Sequence, residues 1–132
     1  IQALHTIAEK IQQRALVVVL SDFFVETDEL ADALQHLRFR KHDISMFHLL
    51  DPQEIAFHFE RPHRFIDLED GTTVVAEPNL IVDEYHAALN EFLATTEKNC
   101  HNVNADYQLL QTDANIEEIV SGFITGRLRK KR

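Results

Sequence analysis

Leu4, Ile7, Ala8 and Ile11 recur at intervals of three and four residues, the spacing of one helical face, and the pattern then gives way to an unbroken apolar run from Ala15 to Leu20. A run that short and that rich in valine predicts a fully buried strand entered from a helix. Thr27 is placed to cap a second helix, with Asp28 and Glu29 in its first turn and Leu30, Ala33, Leu34 and Leu37 as its apolar stripe. A second strand is expected from Ile44 to Leu50, stopped by Asp51 and Pro52. Between Phe57 and Ala76 the period changes. There the Asp70-Gly71 pair separates Phe65-Ile66-Asp67-Leu68 from Thr73-Val74-Val75, as in an inserted two-stranded ribbon.

After Pro78 the spacing of Tyr85, Leu89, Phe92, Leu93 and Thr96 predicts a long helix running to about Cys100. A third strand, Tyr107 to Leu110, follows, with Leu110 expected in the core. Asn115 and Glu118 are spaced as a capping box for a last helix striped by Ile116, Ile119, Val120, Phe123 and Ile124. Helix-period segments between strands imply an α/β fold, a parallel sheet with helices on both faces, because parallel strands need a crossover long enough to return the chain.

Length and composition narrow this without changing it. At 132 residues the chain is the size of one domain, able to bury roughly two thirds of the surface that its unfolded form exposes. With 45% hydrophobic and 27% charged residues it sits in the ordinary globular range. The longest apolar run is far too short to span a bilayer, so no membrane segment is expected. Cys100 has no second cysteine to pair with, which points to a reducing, cytoplasmic setting. A net charge of -9 argues against nucleic acid, whose phosphates call for surplus Lys and Arg. Against that balance Arg127, Arg129, Lys130, Lys131 and Arg132 crowd the C-terminus. A solvated helix end complementing the macrodipole accounts for them, with contact to an acidic partner or anionic lipid as the other reading.

Chemistry is concentrated, if anywhere, at the strand ends. Ligands of open parallel sheets sit beyond the carboxyl ends of the strands, and those ends carry Asp22, Asp51 and Asp113. Asp51 and Asp113 read first as turn and N-cap residues. Asp22 is followed by Phe23 and Phe24 instead of an immediate helix, and leaves a turn role and a site role both open. Phe23, Phe24, Phe57 and Phe59 read as core under loops before they read as an exposed rim.

Other chemistries lack their residues. The only glycines are Gly71, Gly122 and Gly126, so no glycine-rich turn follows a strand to cradle a phosphate. No G-x-S-x-G elbow occurs, and the last strand lacks the lysine-proline pair of a receiver domain. The histidines are scattered. His58 and His63 lack the helical spacing of a zinc pair, Cys100-His101 lacks a second thiolate, and His48, inside a strand, reads as a satisfied, half-buried side chain.

The segments ALVVVLSDFFVETDELADALQHLRFRKHDISMFHLLDPQEIAF, RFIDLEDGTTV and YHAALNEFLATTEKNCHNVNADYQLLQTD together resemble the C-terminal half of the domain-of-unknown-function family fifty-eight, DUF58. That family is similar to von Willebrand factor A domains and is associated with MoxR-type AAA ATPases. The resemblance implies a Rossmann-like A domain with a metal-ion-dependent adhesion site built from a D-x-S-x-S loop, a distant threonine and a later aspartate. Asp22 matches the later aspartate. Asp43-Ile44-Ser45-Met46-Phe47 only begins like the serine loop, and it enters a strand instead of leaving one. The expected reading is therefore residues 1–132 as the C-terminal half of such a domain. It acts as a protein-interaction module, with Asp22 as one ligand of a Mg²⁺ site completed in the intact protein and a MoxR-type ATPase as a candidate partner. Any membrane anchor would lie in segments before Ile1. The strand at 15 to 20 is then an open edge that favours a homo-oligomer. A metal-assisted hydrolase on the same acidic strand ends is the enzyme alternative.

Overall fold

A computed structural model describes residues 1–59, 63–66, 71–76 and 78–130. Along the chain run α1 (Gln2–Lys10), β1 (Leu16–Ser21), α2 (Thr27–Phe39), β2 (Asp43–Leu50), α3 (Pro52–Ala56), β3 (His63–Ile66), β4 (Thr73–Ala76), α4 (Pro78–Asn102), β5 (Asp106–Gln111) and α5 (Ile116–Lys130). β1, β2 and β5 form a three-stranded sheet in that order, parallel throughout, with Val17 beside Ile44 and Met46 beside Tyr107. β3 and β4 form the separate antiparallel ribbon, Ile66 paired with Thr73, and Gly71 between them takes φ +75°, which glycine adopts without steric cost. Asp67, Leu68 and Asp70 of the expected hairpin lie outside the described residues.

Because side chains alternate along a strand and parallel partners share a face, the register sorts the sheet into two sides. Val17, Val19, Ile44, Met46, His48, Leu50 and Tyr107 point one way, toward α1, α2 and α4. Leu30, Leu34 and Leu37 of α2 are fully buried there, each contributing roughly 1.5 to 3 kcal/mol of apolar burial. Leu4, Ala8, Cys100, Val103 and Ala105 complete this main core. On the other face α5 lies over β2 and β5, with Phe123 edge-on to Phe47 at 5.2 Å.

The expected α/β architecture, a parallel sheet with helices on both faces, is therefore present, and four details depart from the sequence reading. β1 is buried on one face only: Leu16, Val18 and Leu20 are 44%, 40% and 56% exposed, since α5 does not extend across β1. The stripe of α5 splits for the same reason. Ile119 and Phe123 turn to the sheet, whereas Ile116, Val120 and Ile124 stay exposed. Leu110, on an edge strand, is half-buried instead of core. Thr27 does not cap α2. The helical ladder already begins with Leu30 N–H donating to the Glu26 carbonyl at 3.0 Å, so Thr27 is the first helical residue.

Candidate functional site at the carboxyl end of the sheet

Beyond β1 the chain makes a tight turn whose polar groups are satisfied locally. Phe23 N–H donates to Ser21 Oγ at 3.1 Å, Phe24 N–H to Asp22 Oδ1 at 3.3 Å, and Val25 N–H to the Phe23 carbonyl at 2.6 Å. Phe23 sits in the left-handed region at φ +53°, a conformation costing a non-glycine residue roughly 1 to 2 kcal/mol. Burial of its ring, 4% exposed and edge-on to His48 at 5.1 Å, offsets that cost. The consequence is directional. Phe23 plugs the core while Asp22 and Phe24 on either side are exposed, Phe24 stacking on Phe92 with centroids 5.8 Å apart.

The three strand-end acids fare differently. Asp51 is a helix cap: its Oδ1 accepts Gln53 N–H at 2.8 Å, while Glu54 Oε2 accepts its own N–H at 2.7 Å, a complete capping box for α3. Thr112 Oγ1, 3.4 Å from Asp51 Oδ2, links that cap to the end of β5. Asp113 is exposed in the following turn, and the cap of α5 is Asn115, whose Oδ1 accepts Glu117 N–H at 3.0 Å. Asp22, like Asp113, keeps an exposed carboxylate with no helix to cap, and its Oδ1 accepts only within its own turn, from Phe24 N–H. Among the described residues no group of three or more His, Cys, Asp or Glu side chains is placed to hold a metal ion. Mg²⁺ takes six oxygens, so Asp22 and Ser21 do not by themselves fit an ion.

His48 lies directly beneath this turn and is wholly buried, not half-buried. Its Nδ1 is hydrogen-bonded to the Tyr107 hydroxyl at 2.9 Å, and the rings of Phe23, Phe92 and Tyr107 meet it edge-on. Burial pushes its pKa down, opposed by the carbonyl and carboxylate of Asp22. Nε2 nevertheless makes no hydrogen bond of good geometry. The same burial raises the Tyr107 hydroxyl to about 12. Of the four phenylalanines considered for a rim, Phe23 and Phe57 are core, Phe59 is half-buried, and only Phe24 is exposed.

A polar network missed in the sequence occupies the opposite, amino end of the strands. Arg127 Nη1 donates to Ser45 Oγ at 2.8 Å and Asp106 Oδ2 at 3.2 Å, its Nη2 lies 3.9 Å from Asp43 Oδ2, and Arg14 Nη2 donates to both Asp43 oxygens at 2.9 and 3.0 Å. The Arg14 hydrogen bond holds the Asp43 carboxyl below its ordinary range, against a smaller effect of burial. Beside this network opens a cavity of about 380 Å³ lined by Ser45, Phe47, Asp106, Phe123 and Arg127 among others. Arg127 is thus no part of a solvated tail; its position four residues after Phe123, on the sheet-facing side of α5, was the signal. The side chains of Arg129, Lys130, Lys131 and Arg132 lie outside the described residues.

Among the described residues no helix is long and apolar enough to cross a membrane. No curated protein and no solved structure matches the chain. The family model for the protein of unknown function DUF58 matches residues 1–92, more than half of the sequence, and the chain accordingly belongs to the DUF58 family.

Proposed function

We propose that this chain is a protein-interaction module that works with a MoxR-type AAA ATPase in the assembly or maturation of a partner, and that the β1–α2 turn is its contact. The observation that carries the reading is the pairing of an exposed carboxylate, Asp22, with an exposed aromatic, Phe24, on a turn locked from beneath by the buried ring of Phe23. A rigid aromatic beside a charge loses little entropy on binding and suits a protein surface. In this reading Asp22 supplies one oxygen to a Mg²⁺ ion whose remaining ligands come from outside the described residues, a partner carboxylate among them, as the resemblance to von Willebrand factor A domains implies.

The hydrolase alternative is less well supported. His48, the one histidine beneath the acidic edge, is sealed from solvent by three aromatic rings and reaches the Asp22 backbone, not a substrate. Surface plasmon resonance with a MoxR-type ATPase tests the proposal. Binding should fall at least tenfold in Phe24→Ala and in Asp22→Asn, with the Asp22→Asn loss seen only when Mg²⁺ is present. Unchanged binding by both variants would remove the β1–α2 turn as the contact.

A further inference from the structure

Charge is sorted along the axis of the sheet. Residues 22–37, 50–59 and 111–126, which form the turns beyond the strands and the elements that leave them, contain acids but no lysine or arginine. Parallel strands return their crossover helices to the opposite end, so α1, α2 and α5 all finish beside the amino ends of β1, β2 and β5. Lys10, Arg14, Arg38, Arg40, Lys41 and Arg127 come with them. Asp43 and Asp106, which open β2 and β5, are taken up by Arg14 and Arg127. Glu9 and Glu97 each adjoin a lysine in the sequence, Lys10 and Lys98, and leave the surplus unchanged.

The centre of this end is the joint between α2 and β2, the middle strand of the sheet. It reads Arg38-Phe39-Arg40-Lys41, four exposed side chains in a row. Arg40 Nε donates to the Ala8 carbonyl at 2.9 Å and ties the joint to the end of α1. Lys10, Arg38 and Lys41 make no ion pair among the described residues. Phe39 is 82% exposed, more than any other large apolar side chain described. Lys41 closes α2 in a left-handed conformation, φ +65°, its N–H donating to the Arg38 carbonyl at 2.8 Å while His42 N–H donates to the Leu37 carbonyl at 3.2 Å. Glycine commonly fills that place, because a side chain there is strained. Cations at helix ends complement the macrodipole, which accounts for Arg38 and Arg40. It calls for neither a bare phenylalanine nor a lysine in a glycine position.

We propose that this end of the molecule docks on an anionic phospholipid surface, with Phe39 entering the boundary between headgroups and acyl chains and Arg38, Arg40 and Lys41 lying on the lipid phosphates. Charge complementarity selects the anion, and the ring selects a bilayer. A protein interface is built around a contiguous apolar core, and single-stranded nucleic acid is held by successive aromatics along a groove. Here one ring stands at a helix end with cations on both sides, the arrangement that seats a peripheral protein on lipid without spanning it. The acids of the opposite end fix one orientation, since an anionic surface repels them. Docked this way, the chain holds the amino ends of its strands toward the bilayer and the β1–α2 turn away from it.

This docking does not rest on the function proposed above, and assaying the purified chain in EDTA keeps the two apart, since neither ATPase nor Mg²⁺ is then present. The probes are vesicles of phosphatidylcholine alone and of phosphatidylcholine mixed with phosphatidylglycerol. Co-sedimentation should show roughly tenfold or tighter preference for the mixed vesicles, lost in high salt. Because the chain has no tryptophan, Phe39→Trp reports on this position alone, and its emission should move to shorter wavelength on the mixed vesicles. Phe39→Ala should weaken binding roughly tenfold with an unchanged circular dichroism spectrum, since the ring lies outside the core. Lys41→Gly separates docking from folding: removing one cation should weaken binding roughly fivefold, while relief of the strained φ should raise the urea midpoint. Equal affinity for both vesicle types, undiminished binding by Phe39→Ala, or a Lys41→Gly chain that binds like the wild type would each overturn the docking. So would an emission shift produced by a single-stranded oligonucleotide, or by the chain's own concentration, and not by vesicles. Those results would assign this end to nucleic acid or to the acidic end of a second copy.

Discussion

His48 shows how one side chain ties the sheet to the turn beyond it. The ring fills the space under Phe23, and its Nδ1 is hydrogen-bonded to Tyr107 across the β2–β5 pair. Burial lowers its pKa below the ordinary 6.5, so the folded protein holds it neutral at pH values where the unfolded chain takes up a proton. The unfolded state then binds more protons, and stability rises with pH across that window. His48 accordingly contributes nothing to pH dependence above about 6.5, and the fold loses stability as pH falls from 6.5 toward the lowered folded value. We expect the urea midpoint of the wild type to drop between pH 7 and pH 5 more steeply than that of His48→Gln, which cannot titrate. Parallel curves for the two proteins would mean that the ring takes up its proton in the fold as readily as in the unfolded chain.

Elements owe their places to contacts of unequal strength. α2 is held by leucines buried on all sides, whereas among the described side chains α5 rests on Ile119, Phe123 and Arg127. Phe123 lies beneath that guanidinium at 5.5 Å, so the cation, the ring and the carboxylates of Asp43 and Asp106 form one layered contact. Arg127→Met keeps the stem and removes the charge. It should cost about 1 to 2 kcal/mol in low salt and less in high salt, since both carboxylates are partly open to solvent. Chemical denaturation at two ionic strengths reads this directly, and a salt-independent loss would assign the effect to packing alone. At this scale, too, one local signal acts twice. Asp51-Pro52 ends β2 at Leu50 as expected, and with Gln53 and Glu54 the same residues build the capping box that starts α3.

For the whole molecule, the sheet gathers Asp22, Asp51 and Asp113 at one end without gathering their carboxylates around a point. Negative charge attracts cations, but geometry decides whether one is held. Calorimetry on this chain should therefore find no Mg²⁺ binding tighter than roughly millimolar, because one exposed carboxylate and a serine hydroxyl leave most of the six positions to water. A micromolar heat would show that the strand-end groups move together on binding and would revive the hydrolase alternative.

Element type and order were written in the sequence because they depend on near neighbours. The valine run of β1, the leucine spacing of α2 and the Asp-Gly signal before β4 each act within a few residues. Parallel pairing followed from the lengths of the crossovers between strands. Which faces are covered could not be read that way. Whether Leu16, Val18 and Leu20 meet a helix depends on how far α5 reaches across the sheet toward β1, which ends 95 residues before that helix begins. The same holds for Arg127, whose basic neighbours suggested a tail until the fold carried it to Asp43 and Asp106, 84 and 21 residues back along the chain. Side-chain chemistry sets what a residue is able to bind, and long-range packing alone sets what stands beside it.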